Sequence, residues 1–312
     1  MEDGLVIRST GSWYVVKTAG GDVLNCKIKG NFRLRGIRTT NPVAVGDRVS
    51  VRINQDGTAF ITSIAPRRNY IIRRASNLSK EAHIIAANLD KAFLVVSLAN
   101  PITSTTFIDR FLATAEAYSV PVVIIVNKAD LLQGEMMEYL ESFKYLYTSI
   151  GYQMISMSAT GHCQAELEQI RQLARGCVSL ISGNSGVGKS TIINKLIPGL
   201  RLRVGEVSAA HHTGTHTTTF SQMHQMPSGG YLIDTPGVKG FGTVDFGQDA
   251  AHYFREIFAL SAKCRYSNCT HTHEPGCAVI EAVAQSRVSQ SRYASYLSVL
   301  DDSNPDKYRK PF

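Results

Sequence analysis

The sequence predicts a multidomain chain. A small β-barrel or sandwich fills residues 1–65, a basic linker covers 66–80, an α/β domain on a parallel sheet covers 81–241, and a helical metal-binding module covers 242–312. Three observations carry this reading. Short β-rich runs between turn signals fill residues 5–65. Apolar strands then alternate with helical stretches. Three cysteines fall within fourteen residues beside histidines near the C-terminus.

In the first module, Trp13-Tyr14-Val15-Val16, Val23-Leu24-Asn25-Cys26 and Arg48-Val49-Ser50-Val51 are β-rich. Gly20-Gly21-Asp22, Asn41-Pro42, Gly46-Asp47 and Asp56-Gly57 punctuate them as turns. Close, regular spacing of short strands suits a small barrel or sandwich, and the OB-fold is one of several such options. The stretch from Pro66 to Arg74 is basic and opens with proline, which reads as a linker or an RNA-contacting strap.

Beyond it the period changes. Buried strands at Phe93–Leu98, Val120–Val126, Met154–Ser156 and Val178–Ile181 alternate with helical stretches at Thr106–Tyr118, Glu135–Tyr147 and Glu166–Arg175. That alternation implies a parallel sheet covered by helices. The last seventy residues read as a helix, a cysteine-rich loop and two more helices.

Length and composition bound the function class. At usual domain sizes, 312 residues make two or three domains with their own cores. A hydrophobic share of 44% and a charged share of 19% describe an ordinary globular protein. The start, Met1-Glu2-Asp3-Gly4, is acidic and precedes no apolar segment, so a secretory signal is not expected. The longest apolar run, Val120–Val126, is too short to span a membrane. A cytoplasmic monomer is the expectation. The net charge of +8 is unevenly placed: residues 1–80 hold 14 basic and 5 acidic side chains, while 81–241 and 242–312 are near balance. A basic module of this kind is the footprint of a polyanion binder.

The chemistry sits in the middle. Val178–Ile181 runs into Gly183-Asn184-Ser185-Gly186-Val187-Gly188-Lys189-Ser190 and a helix from Thr191. This is a phosphate loop in its strand–loop–helix setting. Glycines turn backbone N–H groups toward phosphate oxygens, Lys189 offers a charge to the β- and γ-phosphates, and Ser190 offers a hydroxyl to Mg²⁺. Asn127-Lys128-Ala129-Asp130 ends the strand Val120–Val126. The Asp130 carboxylate can accept from guanine N1–H and its exocyclic amine, a donor pair that adenine lacks. Asn127 can complement N7 and O6, and the Lys128 stem can lie over the base. Ser158-Ala159 follows the next strand, where a backbone amide can meet O6. Asp234-Thr235-Pro236-Gly237 supplies a carboxylate for Mg²⁺ and an N–H for the γ-phosphate. Between them, Gly214-Thr215-His216-Thr217-Thr218-Thr219 offers a threonine, Thr218 or its neighbour Thr217, to complete the Mg²⁺ shell. This set reads as GTP chemistry and argues against an ATPase acting on DNA.

The order is unusual. The guanine motif precedes the phosphate loop, so the nucleotide domain is circularly permuted. Rejoining a sheet's ends at exposed loops leaves each contact in place. In the last module Cys264-x4-Cys269-x-His271-x5-Cys277 supplies three thiolates and an imidazole, a closed tetrahedral shell for one structural zinc ion. His273 is the alternative to His271.

Together these features resemble the circularly permuted GTPases of ribosome assembly, the RsgA (YjeQ) family. The resemblance covers nearly the whole chain, from the basic β-module through Pro66-Arg67-Arg68 to Arg292-Tyr293-x-x-Tyr296. It implies an N-terminal OB-fold, binding to the small ribosomal subunit and its rRNA, late maturation or quality control of that subunit, and GTP hydrolysis stimulated by it. It also implies that His216 orients the attacking water. Val238 stands where many GTPases place a water-positioning Gln and cannot form that hydrogen bond. A second reading is an RNA-binding assembly factor that GTP only gates.

Overall fold

The computed structural model describes residues 1–28, 42–74, 82–202, 221–234 and 247–302. Five strands open the chain: β1 (Glu2–Ser9), β2 (Tyr14–Thr18), β3 (Val23–Ile28), β4 (Arg48–Ile53) and β5 (Ala59–Ile64). They pair in the order β1-β2-β3-β5-β4, and β4 returns to β1, so the sheet closes. The β3–β5 pair is parallel and the others antiparallel. A closed five-stranded barrel with this order is an OB-fold. Alternation sends Val6, Tyr14, Val16, Cys26, Val49, Val51 and Ile61 into its core.

The expected linker is in part a strand. β6 (Tyr70–Arg74) pairs with β7 (Ala82–Ala87) as an antiparallel hairpin. Arg67, in the stretch read as a linker or an RNA-contacting strap, is an internal tie. Its guanidinium makes a two-pronged pair with the buried Asp47 at 2.6 and 2.7 Å and also donates to Pro42 O. Arg68 reaches across to Asp90 and the carbonyl of Leu89. Both arginines therefore join the barrel's end to the next domain.

The central domain follows: β8 (Lys91–Val96), α1 (Thr105–Ala117), β9 (Val122–Val126), α2 (Glu135–Ser149), β10 (Gln153–Ser156), α3 (Gln164–Ala174), β11 (Val178–Ser182), α4 (Lys189–Leu196), β12 (Gln222–Gln225) and β13 (Tyr231–Asp234). The strand order is β10-β9-β8-β11-β13-β12, parallel except for β12. Strands β8 and β9 are buried on both faces, as central parallel strands must be. Leu94, Val96, Ile124 and Val126 face α1 and α2, while Phe93, Val95, Val123 and Ile125 face α3 and α4. Ser104 caps α1 by accepting from Phe107 N.

The last module holds α5 (Arg255–Ser261), α6 (Ala278–Ala284) and α7 (Gln290–Asp302) around Phe254, Ile257, Val279, Tyr296 and Val299. It seats on α1. Arg292, almost fully buried, bonds Asp109 at 2.8 Å and makes two bonds to Glu256, with its guanidinium over the Phe254 ring. Arg110 reaches back to Ser298. Among the described residues no helix is long and apolar enough to cross a membrane.

Candidate nucleotide site and metal centre

Parallel strands end at one edge, so motifs far apart in sequence meet on one rim. β9 ends at Asn127, β10 leads to Ser158, β11 ends before Gly183, and β13 ends at Asp234. The order in which strands are added reverses between the parallel neighbours β8 and β11, and open α/β sheets bind ligands at such a switch point. Gly183, Gly186 and Gly188 all have positive φ. Added Cβ atoms would stand 2.1 Å from Val95 O at Gly183 and 2.2 Å from Asn127 Nδ2 at Gly188. Only glycine lets the loop lie this close to its neighbours.

Lys189 lies against its own loop. Its Nζ donates to Gly183 O at 2.9 Å and Asn184 O at 2.7 Å. Burial pushes its ammonium down to about 8, although the Asp234 carboxylate pulls it up. Asp234 is buried beside Ile181 in register, and Ser190 and Thr191 are half-buried in the first turn of α4. The helix N-terminus and this cationic side chain together make a cradle for anionic oxygens.

Asn127 makes two bonds within the protein that the sequence does not announce. Its amide donates to Val187 O at 2.8 Å and its carbonyl accepts from Ala159 N at 2.9 Å, with the side chain buried. One residue therefore ties the phosphate loop, the guanine motif and the Ser158-Ala159 loop together. The Ala159 amide is engaged by this bond. Ser158 Oγ accepts from Asp130 N and sets the short helical turn that carries Asp130, whose side chain is exposed. Lys128 is left-handed, and its Nζ donates to Asn100 O at 2.6 Å. Burial lowers its pKa, partly offset by Asp130. Nothing in the sequence pointed to the Asn100 partner. His216, Thr218 and Gly237 lie outside the described residues, as do Thr215, Thr217 and Val238.

The second cluster is compact. The ligand atoms of Cys264, Cys269, His271 and Cys277 lie within 4.8 Å of one another. His271 Nδ1 is 3.5 Å from both Cys264 Sγ and Cys277 Sγ, which are 3.9 Å apart. These separations fit one central ion with tetrahedral donors. His273 is exposed and bonded to Thr272, so the geometry favours His271. Glu274 was not anticipated. Its carboxylate accepts from Thr270 N, Thr270 Oγ1, Thr272 N and His273 N, which holds His271 in a left-handed turn. Tyr293 and Tyr296 donate to the carbonyls of His271 and Thr270, so α7 braces the same loop.

The family models for the RsgA GTPase and the RsgA N-terminal domain match residues 64–244 and 3–61. The chain belongs to the RsgA GTPase family. The small ribosomal subunit biogenesis GTPase RsgA of Bacteroides fragilis strain YCH46 is 58% identical over 311 residues, covering 99% of each chain. The protein of the same name from Phocaeicola vulgatus is 56% identical over 310 residues, again covering 99% of each. A crystal structure of YjeQ from Thermotoga maritima superposes with a TM-score of 0.75 at 30% identity, covering 99% of each chain. YloQ, described as a circularly permuted GTPase, superposes at 0.71 with 26% identity, covering 100% of this chain and 97% of its own. This chain shares the circularly permuted GTPase fold of these relatives.

Proposed function

We propose that this chain hydrolyses GTP on the small ribosomal subunit, in its late maturation or quality control, and that the subunit stimulates hydrolysis. The observation that carries the reading is the shared rim, where Asn127 joins the guanine, Ser-Ala and phosphate loops into one pocket edge. In this reading Asp130 reads the guanine N1–H and amine, and Lys128 covers the base. Lys189 leaves its loop carbonyls for the β- and γ-phosphates. Ser190, Thr218 and Asp234 surround Mg²⁺, Gly237 donates to the γ-phosphate, and His216 orients water. Zinc fits the Cys264, Cys269, His271 and Cys277 cluster. Zn–S bonds of about 2.3 Å and Zn–N bonds of about 2.0 Å in a tetrahedron require S···S near ~3.8 Å and S···N near ~3.5 Å. Four protein ligands leave no open position, so its role is structural. The relatives named for the small subunit supply the partner, and the basic N-terminal module suits its RNA. Such a partner supports a cytoplasmic location.

The test is GTP turnover with and without purified small subunits at two salt concentrations. Turnover rises with the subunit, and the rise fades with salt as phosphate contacts weaken. Turnover indifferent to saturating subunits would overturn the proposal.

A further inference from the structure

The loop between β10 and α3, residues 157–163, is held from two sides. On one side stands the guanine motif. Ala129 donates its N–H to Met157 O at 3.1 Å, Asp130 donates its N–H to Ser158 Oγ at 2.9 Å, and Ala159 donates to the Asn127 side chain at 2.9 Å. On the other side stands one lysine. Lys195 Nζ donates to Gly161 O at 3.2 Å and lies 3.6 Å from Cys163 Sγ, a buried thiol at the entry to α3. Gly161 N in turn donates to Ser158 O at 2.9 Å. A chain of contacts therefore runs from Lys195 through Gly161 and Ser158 to the backbone of Asp130.

Lys195 sits in the last turn of α4, the helix whose first turn carries Lys189 and Ser190. A lysine there ordinarily serves the helix dipole, since a cation suits the negative end of a helix. Here another group covers that end. Arg171 of α3 donates to Lys195 O at 3.0 Å. The Lys195 ammonium reaches across to the loop, where a charge-assisted bond to a carbonyl is stronger than a neutral one. The two bonds are reciprocal: α3 holds the end of α4, and α4 holds the entry to α3.

We propose that Lys195 is a positioning residue for guanine recognition. It pins the loop to the phosphate-loop helix, so that Ser158 sets Asp130 against the base. The inference rests on the reading that Asp130 accepts from the guanine N1–H and amine. It gives α4 two tasks, phosphate binding at its first turn and support of the base reader at its last. Losing the ammonium then loosens base recognition and leaves phosphate recognition intact.

Lys195→Met keeps the stem and removes the donor. Full-length protein is titrated calorimetrically with GDP, inosine diphosphate, ADP and inorganic tripolyphosphate. GDP is expected to bind Lys195→Met about three- to tenfold more weakly, the factor that one net hydrogen bond supplies. Inosine diphosphate lacks the exocyclic amine and has less to lose, so the wild-type preference for GDP over it narrows. Tripolyphosphate affinity and the denaturant midpoint stay at wild-type values. Lys195→Arg, which keeps a cationic donor, recovers part of the loss. Unchanged GDP affinity, an unchanged preference over inosine diphosphate, or equal weakening of GDP and tripolyphosphate overturns the proposal. ADP separates the two ideas. Wild-type protein that binds ADP as tightly as GDP sinks the guanine reading itself. Guanine-selective wild type beside an unaltered Lys195→Met sinks the positioning role alone.

Discussion

Replacing Asn127 by alanine separates a clamp from a base reader. In the structure the amide bridges Val187 O and Ala159 N, and all three groups are screened from water. Alanine leaves a buried carbonyl and a buried N–H unsatisfied. Each such orphan costs about 1–3 kcal/mol, so the central domain is expected to lose roughly 2–6 kcal/mol. That is a large share of an ordinary domain's stability of about 5–15 kcal/mol. Asn127→Asp is expected to be at least as harmful. It keeps the acceptor for Ala159 but sets a carboxylate against the Val187 carbonyl.

The deciding ligand is one without a base. Inorganic tripolyphosphate touches the phosphate loop and cannot touch a guanine reader. If Asn127 holds the loop, Asn127→Ala weakens tripolyphosphate and GDP together, by about tenfold or more when 1.4 kcal/mol or more of loop order is lost. Calorimetric titration of both ligands, beside denaturant unfolding of the free protein, measures it. Wild-type affinity for tripolyphosphate with impaired GDP binding would refute the clamp and restore Asn127 as a base reader.

Four further outcomes are expected. Asp130→Asn, at an exposed turn held by a backbone bond to Ser158, leaves stability within about 0.5 kcal/mol and shifts preference from GTP to xanthosine triphosphate. Equal wild-type affinity for ATP and GTP would sink that. Lys189 is held near 8 against an ordinary 10.5, so the folded apoprotein sheds this proton before the unfolded chain does. Between pH 8 and 10.5 this group makes the apoprotein more stable as pH rises, while triphosphate affinity falls about tenfold per unit; a pH series of Kd and unfolding free energy checks both signs. Protein purified without added zinc is expected to carry one zinc per chain, and Cys277→Ser is expected to lose it and melt earlier, read by metal analysis and calorimetry. The separation of spin labels on α1 and α7 is expected to stay fixed between GDP and a GTP analogue.

What the sequence shows tracks what the backbone alone decides. Parallel strands β8 and β9 were legible because burial on both faces makes them nearly continuously apolar, and β11 because it leads straight into the phosphate loop. The phosphate loop and guanine motif were legible because glycines and strand ends fix their geometry locally. β1 was hidden by its acidic start, Glu2-Asp3, whose outward side chains face solvent. β6 was hidden by its arginines, and its partner β7 is rich in alanine, a weak strand former. Side-chain partners across modules were beyond reach. Nothing near Arg292 says that it will meet Asp109, 183 residues away, and nothing near Asn127 names Val187. The same limit hid the partner of Arg67, a buried aspartate twenty residues earlier.

The permuted order joins Asp234 to the C-terminal module through residues 235–246, a short covalent path for a γ-phosphate signal. The α1–α7 contact limits what that signal can do. Sliding the module over α1 would part Arg292 from Asp109, and breaking a buried ion pair costs about 3–5 kcal/mol. Coupling between ligand sites is typically about 1–3 kcal/mol, too little to supply it. Asp109 is further anchored by Tyr147, so α1 cannot follow the module without disturbing α2. The loop before α1 also holds Lys128 through Asn100, which ties α1 to the guanine end of the site. A nucleotide-driven change therefore either moves α1 and the metal module as one body or stays within the connecting segment. In both cases the metal module keeps its seat on α1, which is why the spin-label separation is expected not to change.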